Sequence, residues 1–433
     1  MADTRAYRAS ILHCVDDPAV AGAAAVESFE DGLLLVDGGR IEAVGPADAL
    51  LRRIGPDVPV TDYSGRLLVP GLIDCHVHYP QVDMIASWGA RLLDWLQSYA
   101  YPAERRYADP EYARAAADFF AGELLKNGTT TALVFASVHR VSAEAMFEAA
   151  RRRNMRLVTG KVAMDTACPP DLRDSAEAAY RDSRELIERW HGVDRLGYAI
   201  TPRFALTSSQ QQLEALGRLA REFPDVHVHS HLAEQRDEVE AVLRGHPGSR
   251  SYLDVYGRHG LLRERSVFAH CLYLDDADRR ELASSGGAIA FCPGSNLFLG
   301  SGLFDLAAAD GAAIRTGIGS DVGAGTSLSL LQNLGEAYKV LQLKGQSLTP
   351  WKALHLATLG AARALRLEDR IGNFARGREA DFVVLDPAAT PLLARRNSTA
   401  RDLAERFFAL MMLGDERAVA ATYLLGRCAW RRN

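Results

Sequence analysis

Eight strand-like segments alternate with helix-like ones between residues 66 and 321, and this alternation restricts the possible folds more than any other feature of the chain. The strand candidates, in order, read RLLVPGLIDCHVH, TTTALVFAS, RLVTGKVAMD, LGYAITPRF, DVHVHSHLAE, SVFAHCLYL, GAIAFCPGSN and AIRTGIGSD. Ala- and Arg-rich stretches separate them. One of these, DPEYARAAADFFAGELLKNG, stops at a glycine, the usual signal for a helix C-terminus. Eight such units predict a (β/α)8 TIM-like barrel, with functional groups at the C-terminal ends of its strands. The rival is a doubly wound open sheet. Its dinucleotide loop would have to be the Gly317, Gly319, Gly323 cluster, which has the wrong spacing and lies late in the chain.

The two ends of the chain are different in kind. GLLLVDGGRIEAVGP reads as two strands around an Asp37-Gly38-Gly39 turn, a hairpin signature. Near the other end, GREADFVVLDP and RAVAATYLLGRCAW are further strand candidates. We therefore expect a small β-sandwich domain built from both termini, with residues 1–67 and 374–433 flanking a barrel over 68–373.

Composition enters through what it excludes. A formal net charge of −5 gives no reason to expect nucleic acid or an acidic membrane as partner. No apolar stretch is long enough to span a bilayer, and the opening MADTRAYRAS lacks a basic-then-apolar leader. The six cysteines are scattered without CxxC pairs, as expected of reduced thiols in a cytoplasmic protein. Arg151-Arg152-Arg153 reads as a solvated helix face.

Chemistry gathers at the strand ends. His76 and His78 lie two apart on the first barrel strand, so both imidazoles face the same way. The fifth strand carries His227, His229 and His231, of which the last is nearest the barrel mouth; the other two read as buried, hydrogen-bonded histidines. The sixth strand ends with His270 and the eighth with Asp321. Imidazoles from strands one, five and six and a carboxylate from strand eight converge at one mouth, which predicts a metal site. An ion there suits Zn²⁺, or Fe²⁺, and lowers the pKa of water from 15.7 to about 7.

These residues resemble the amidohydrolase superfamily through PGLIDCHVH, His231, His270, Asp321 and GREADFVVLDP, a likeness that spans nearly the whole chain. Within it, HYPQ, LLDWLQSYAYPAERRY, TPRF, HLAE and LGEAYKV resemble the guanine deaminases. The resemblance implies a barrel with one zinc ion per subunit, hydrolysis of guanine to xanthine and ammonia, and a homodimer. Two-metal members commonly need a carboxylated lysine on the fourth strand; LGYAITPRF has none, and Lys161 on the third strand reads as structural. One metal is therefore expected, held by His76, His78, His231 and Asp321. By the family pattern His270 sits beside it and orients water or substrate.

Deamination also needs a proton carrier, because nitrogen must leave as ammonia. Glu234, three residues after a ligand in HLAE, can take a proton from water and pass it to the ring and then to the amine. Asp321 can accept a proton as well as bind metal. Arg203 offers the planar fork that suits an O6/N7 edge, Phe204 an apolar face, and Gln81 a donor and acceptor for the polar edge of the purine. Trp88, Trp95 and Tyr101 read as packing residues. A related aminohydrolase or chlorohydrolase acting on another purine, pterin or triazine ring is an alternative that the metal residues do not exclude. A non-catalytic scaffold is another, opposed by the intact ligand set. Cytidine-type zinc deaminases are excluded, because Cys292-Pro293 lacks the second cysteine of their ligand motif.

Overall fold

The computed structural model describes residues 3–89 and 91–433. Seven strands come from the chain ends: β1 (Arg5–Cys14), β2 (Val26–Asp37), β3 (Arg40–Pro46) and β4 (Val60–Pro70) from the first part, and β14 (Phe382–Leu385), β15 (Val419–Leu424) and β16 (Arg427–Arg431) from the last. They form one sheet in the order β16-β15-β14-β4-β1-β2-β3. The expected hairpin is there: β2 and β3 pair antiparallel around Gly38 and Gly39, whose φ values of 56° and 79° suit glycine.

The sandwich is thus a single sheet curled over on itself. The β2–β3 hairpin reaches the segment before β14, where the Ile41 and Ala380 amides donate to the Arg378 and Gly39 carbonyls at 2.8 and 2.9 Å. Tyr7, Phe382 and Tyr423 pack inside the curl, with centroids 4.4 to 5.1 Å apart.

Between these ends lie β5 (Leu72–His78), β6 (Thr129–Phe135), β7 (Arg156–Gly160), a two-residue β8 (Val162–Ala163), β9 (Leu196–Pro202), β10 (His227–Leu232), β11 (Ser266–His270), β12 (Ala288–Phe291) and β13 (Arg315–Ile318). All their pairings are parallel, in the order β5-β6-β7-β9-β10-β11-β12-β13, with β8 beside β9. Every strand expected in the middle of the chain is present. The first begins at Leu72, later than the expected barrel start at 68, because RLLVP (66–70) is the end of β4 and pairs with β14 in the other sheet. Two hydrogen bonds close the seam: the Asp321 amide donates to the His76 carbonyl and the His78 amide to the Val322 carbonyl, each at 2.8 Å.

Helices clothe the outside. The helix Pro110–Lys126 starts at an Asp109 cap, buries Ala113, Ala117, Phe120, Ala121 and Leu124 along one stripe, and ends before Gly128 at φ 81°. Small and branched side chains fill the barrel interior, among them Ile73, Leu133, Val158, Ala199, Val267, Ala269, Ala288 and Ala290.

Two features were not expected from the sequence. The C-terminal part holds a helix, Leu403–Leu413, that packs on the barrel helix Leu330–Leu343, with the Phe408 and Tyr338 rings 5.1 Å apart. A buried ion cluster also ties the starts of β7 and β9 to the strand-like approach to β14: Arg156 and Arg195 both bind Glu379, and Arg195 also binds Asp381.

Candidate metal centre and cavity

The inward face of β5 changes partway along the strand. Ile73 and Cys75 point into the barrel, so strict alternation would send Val77 there and turn the histidines outward. The β5–β6 register shifts between Asp74 and Val77, and Val77 joins the outer layer instead. This bulge aims His76 and His78 inward. Asp74 sits at it, accepting from the His76 amide at 3.1 Å, the Ser320 amide at 3.0 Å and the Ser320 hydroxyl. Burial pushes the Asp74 carboxyl up to about 7. Gly319 leaves room beside His76: a Cβ there would lie 3.0 Å from that of His76.

β10 alternates regularly, so His227, His229 and His231 share the inner face. His227 Nε2 meets the Leu365 carbonyl at 2.8 Å, and His229 Nε2 meets His76 Nδ1 at 2.7 Å. Both are buried, hydrogen-bonded histidines, as expected, and His229 in addition fixes the ring of His76. Several residues at the strand ends take left-handed backbone conformations without being glycine: Ala233 (φ 50°), His270 (72°), Cys271 (56°) and Asp321 (48°). Such conformations are sparsely populated and gather at functional sites.

One ligand atom each from His76, His231, His270 and Asp321 lies within 4.8 Å of the others. His78 belongs to the same group, with its Nε2 3.2 Å from His76 Nε2, 3.1 Å from His231 Nε2 and 3.3 Å from Asp321 Oδ1. His76 Nε2 is 3.1 Å from Asp321 Oδ1. His270 Nε2 stands off toward Glu234, 3.4 Å from Glu234 Oε2 and 3.7 Å from Asp321 Oδ2, while its Nδ1 is held by Asn296 Oδ1 at 2.8 Å.

This arrangement fits a divalent cation. His231 Nδ1 is 2.6 Å from the Arg203 carbonyl, which can only accept, so Nδ1 carries the proton. Burial and the neighbouring imidazoles hold the His231 pKa well below its ordinary value, so the ring is neutral and Nε2 presents a lone pair. That lone pair faces His78 Nε2, and burial lowers the His78 pKa to about 4. Burial favours a neutral Asp321, but His76, His78 and His270 outweigh it and keep the carboxyl well below the carboxylate range. His78 Nε2, His231 Nε2 and Asp321 Oδ1 thus converge at 3.1–3.3 Å, a donor set that one cation can share. Zinc–nitrogen and zinc–oxygen bonds of about 2.0–2.2 Å put neighbouring donor atoms about 3 Å apart, the spacing found among these groups. Lys161, by contrast, is buried in an ion pair with Asp174.

A cavity opens beside the cluster. Its lining includes His78, His231, Glu234 and Asp321 from the cluster side, and Gln81, Trp95, Arg203 and Phe204. Glu234 is buried; its Oε1 accepts from the Ser301 hydroxyl at 3.2 Å, and burial with the nearby Asp321 charge raises its pKa to about 8. Glu238 caps the turn that carries it, accepting the Glu234 and Gln235 amides at 2.8 and 3.0 Å. All the residues expected at the site are therefore within one region.

The aromatic expectations need correction. Trp95 lines the cavity and does not merely pack, because the helix Leu92–Trp95 lies across the mouth and Leu92 and Leu96 line it too. Trp88 is 84% exposed and is not the packing residue expected. Tyr101 does pack, and its ring lies 5.2 Å from the Arg203 guanidinium.

Glu104 was missed altogether. It is fully buried, and its two oxygens take the Arg203 Nη1 at 2.6 Å and the Gln81 Nε2 at 3.0 Å. The sequence signal was its place three residues after Tyr101 and three before Tyr107, the buried face of a helical turn; the adjacent Arg105-Arg106 disguised it as part of a surface charge run.

Residues 67–427 match the amidohydrolase family. A guanine deaminase of Escherichia coli (strain K12) is 48% identical over 423 residues, covering 98% of this chain and 96% of that protein. The solved E. coli guanine deaminase superposes with a TM-score of 0.96 at 47% identity, covering 99% of both chains. A guanine deaminase from C. acetobutylicum, solved with guanine bound in its active site, superposes with a TM-score of 0.89 at 25% identity, covering 99% of this chain and all of that one.

Proposed function

This chain belongs to the amidohydrolase family, and on that premise we propose that it hydrolyses guanine to xanthine and ammonia. The observation that carries this reading is a single cavity lined at once by the histidine–aspartate cluster, by Glu234, and by the donor groups of Arg203 and Gln81. We assign His76, His78, His231 and Asp321 as ligands of one Zn²⁺, a choice supported by their mutual spacing and by the offset of His270 toward Glu234. When bound, the ion acts as a Lewis acid that makes water nucleophilic near neutral pH.

The protein's own groups account for the remaining steps. Arg203 and Gln81 donate hydrogen bonds to acceptors on the purine edge, and Phe204 gives its ring an apolar face. Water oxygen bonds to the carbon that carries the exocyclic amine. Glu234 moves one proton from that water to a ring nitrogen and then the second, from the added hydroxyl, to the amine, which leaves as ammonia as the C–N bond breaks and the carbonyl forms. His270, fixed by Asn296, orients the water beside Glu234, and Asp321 is a second proton acceptor.

Six free cysteines, five of them buried, support a cytoplasmic setting. Among the described residues no helix is long and apolar enough to cross a membrane. A homodimer is carried over from the family resemblance.

The test is ammonia release from guanine, adenine, cytosine and a set of triazines by purified protein, alongside metal analysis. We expect guanine to be preferred, about one zinc per chain, loss of activity on exhaustive chelation and recovery with Zn²⁺. Preference for another ring, or turnover that survives chelation, overturns the assignment.

A further inference from the structure

We infer that Glu104 sets substrate selectivity from behind the cavity wall, by locking Gln81 and Arg203 so that both present only N–H donors to the ligand. The inference rests on the deaminase reading and adds a positioning residue to it. Glu104 is not among the residues lining the cavity, whereas Gln81 and Arg203 both are. All three are at most 2% exposed.

The hydrogen-bond accounting leaves little choice. Gln81 Oε1 accepts from the Gly323 amide at 3.2 Å, and Gln81 Nε2 donates to Glu104 Oε1 at 3.0 Å. A flipped amide would set N–H against N–H on one side and oxygen against oxygen on the other. The orientation is therefore fixed from both ends, and the amide has one N–H left. Glu104 Oε2 takes one Arg203 donor at 2.6 Å, and the Tyr101 ring lies against the guanidinium at 5.2 Å. The remaining Arg203 groups are also N–H, since a guanidinium has no acceptor. Burial penalises the Arg203 charge, but the attraction and hydrogen bond of Glu104, together with Tyr101 and Asp321, outweigh it and the Arg203 pKa is raised.

A wall made only of donors matches a ring edge made only of acceptors. A carbonyl beside a bare ring nitrogen satisfies it, and an amino group in place of the carbonyl puts donor against donor. Sites built on buried hydrogen bonds reject such a mismatch strongly. Guanine and 2,6-diaminopurine share the 2-amino leaving group and differ in carrying a carbonyl or an amino group at position 6, so they form the diagnostic pair.

The experiment compares metal-loaded wild type, E104Q, R203M and the double variant E104Q/R203M. For E104Q we expect unchanged zinc content, kcat within about threefold, a guanine KM raised about tenfold or more, and a guanine-to-diaminopurine ratio of kcat/KM lowered about tenfold. A residue that only supports the fold would depress both substrates together and leave that ratio alone. E104Q strands the buried Arg203 charge and could fail to fold; the double variant has no such charge. If Glu104 works through Arg203, the double variant matches R203M within about threefold in KM and in the ratio. Wild-type KM and selectivity in E104Q, a fall confined to kcat, or multiplying effects in the double variant would overturn the inference. Wild type that releases no ammonia from guanine refutes the deaminase reading itself, whereas active wild type with an unaltered E104Q refutes only the role of Glu104.

Discussion

Replacing Glu234 with glutamine isolates proton transfer from every other function of the site. Gln is nearly isosteric, and its carbonyl can still accept the Ser301 hydroxyl that Glu234 accepts at 3.2 Å. Its amide can donate to His270 Nε2, which has no hydrogen-bond partner and lies 3.4 Å from the carboxylate. The Glu234 and Gln235 amides remain capped by Glu238, so the turn has no reason to move. What disappears is the ability to take and return a proton. General acid–base catalysis by one positioned group contributes about 10²- to 10⁴-fold. At 1.36 kcal/mol per decade that corresponds to about 3 to 5 kcal/mol of barrier. We therefore expect E234Q to keep its zinc and its guanine KM within a few-fold while kcat falls by about two to four decades. Steady-state ammonia release and metal analysis on the same preparation measure all three. A kcat within tenfold of wild type, with zinc intact, would remove Glu234 from proton transfer; loss of zinc would show that it holds the metal site together instead.

Two further predictions follow from the surroundings of the site and of the sheet. H229Q should lower zinc affinity about 10- to 100-fold, since His229 fixes His76 through Nδ1 at 2.7 Å and such supporting contacts carry that weight; competition with a chelator measures it, and unchanged affinity would make His229 filler. Burial depresses the His13 pKa from 6.5 to about 4. The unfolded chain then binds a proton that the folded chain refuses, so this contribution is intact above about pH 6.5 and is lost as pH falls toward 4, at about 3 kcal/mol in full. Denaturant melts of H13Q across that range should show a flatter acid limb than wild type, and parallel curves would contradict the assignment.

The sequence made the barrel and the convergence of its histidines with Asp321 legible because both follow short-range rules. Strand and helix periods differ, and His76, His78, His231, His270 and Asp321 all sit at the ends of apolar runs. The bulge at Asp74–Val77 was not legible: it depends on how β5 pairs with β6, and it determines which way the histidines face. Alternation within His76–His78 still gave the right answer, since the register shift lies before His78 and the two rings stay together. Glu104, Asn296 and Ser301 escaped notice for a different reason. Each acts through partners distant in sequence, Arg203 and Gln81 for Glu104, His270 for Asn296 and Glu234 for Ser301. Glu104 had a helical-spacing signal that the adjacent arginines disguised, and the other two had none. The helix Leu403–Leu413 was overshadowed by the β-strands on either side of it, and its partner lies in the barrel. The aromatic residues near the mouth could not be sorted without a backbone path, so Trp95 was undervalued and the exposed Trp88 was read as packed.

The seam between β5 and β13 has a consequence for biosynthesis. The hydrogen bonds that join the first strand of the ring to the segment after the last involve His76 and Asp321 themselves, separated by most of the polypeptide. A ribosome that has released residues up to 312 has made every imidazole of the centre but not the carboxylate that completes it. Metal affinity should therefore emerge late and abruptly during synthesis, which makes metal uptake a natural reporter of the moment the ring is finished.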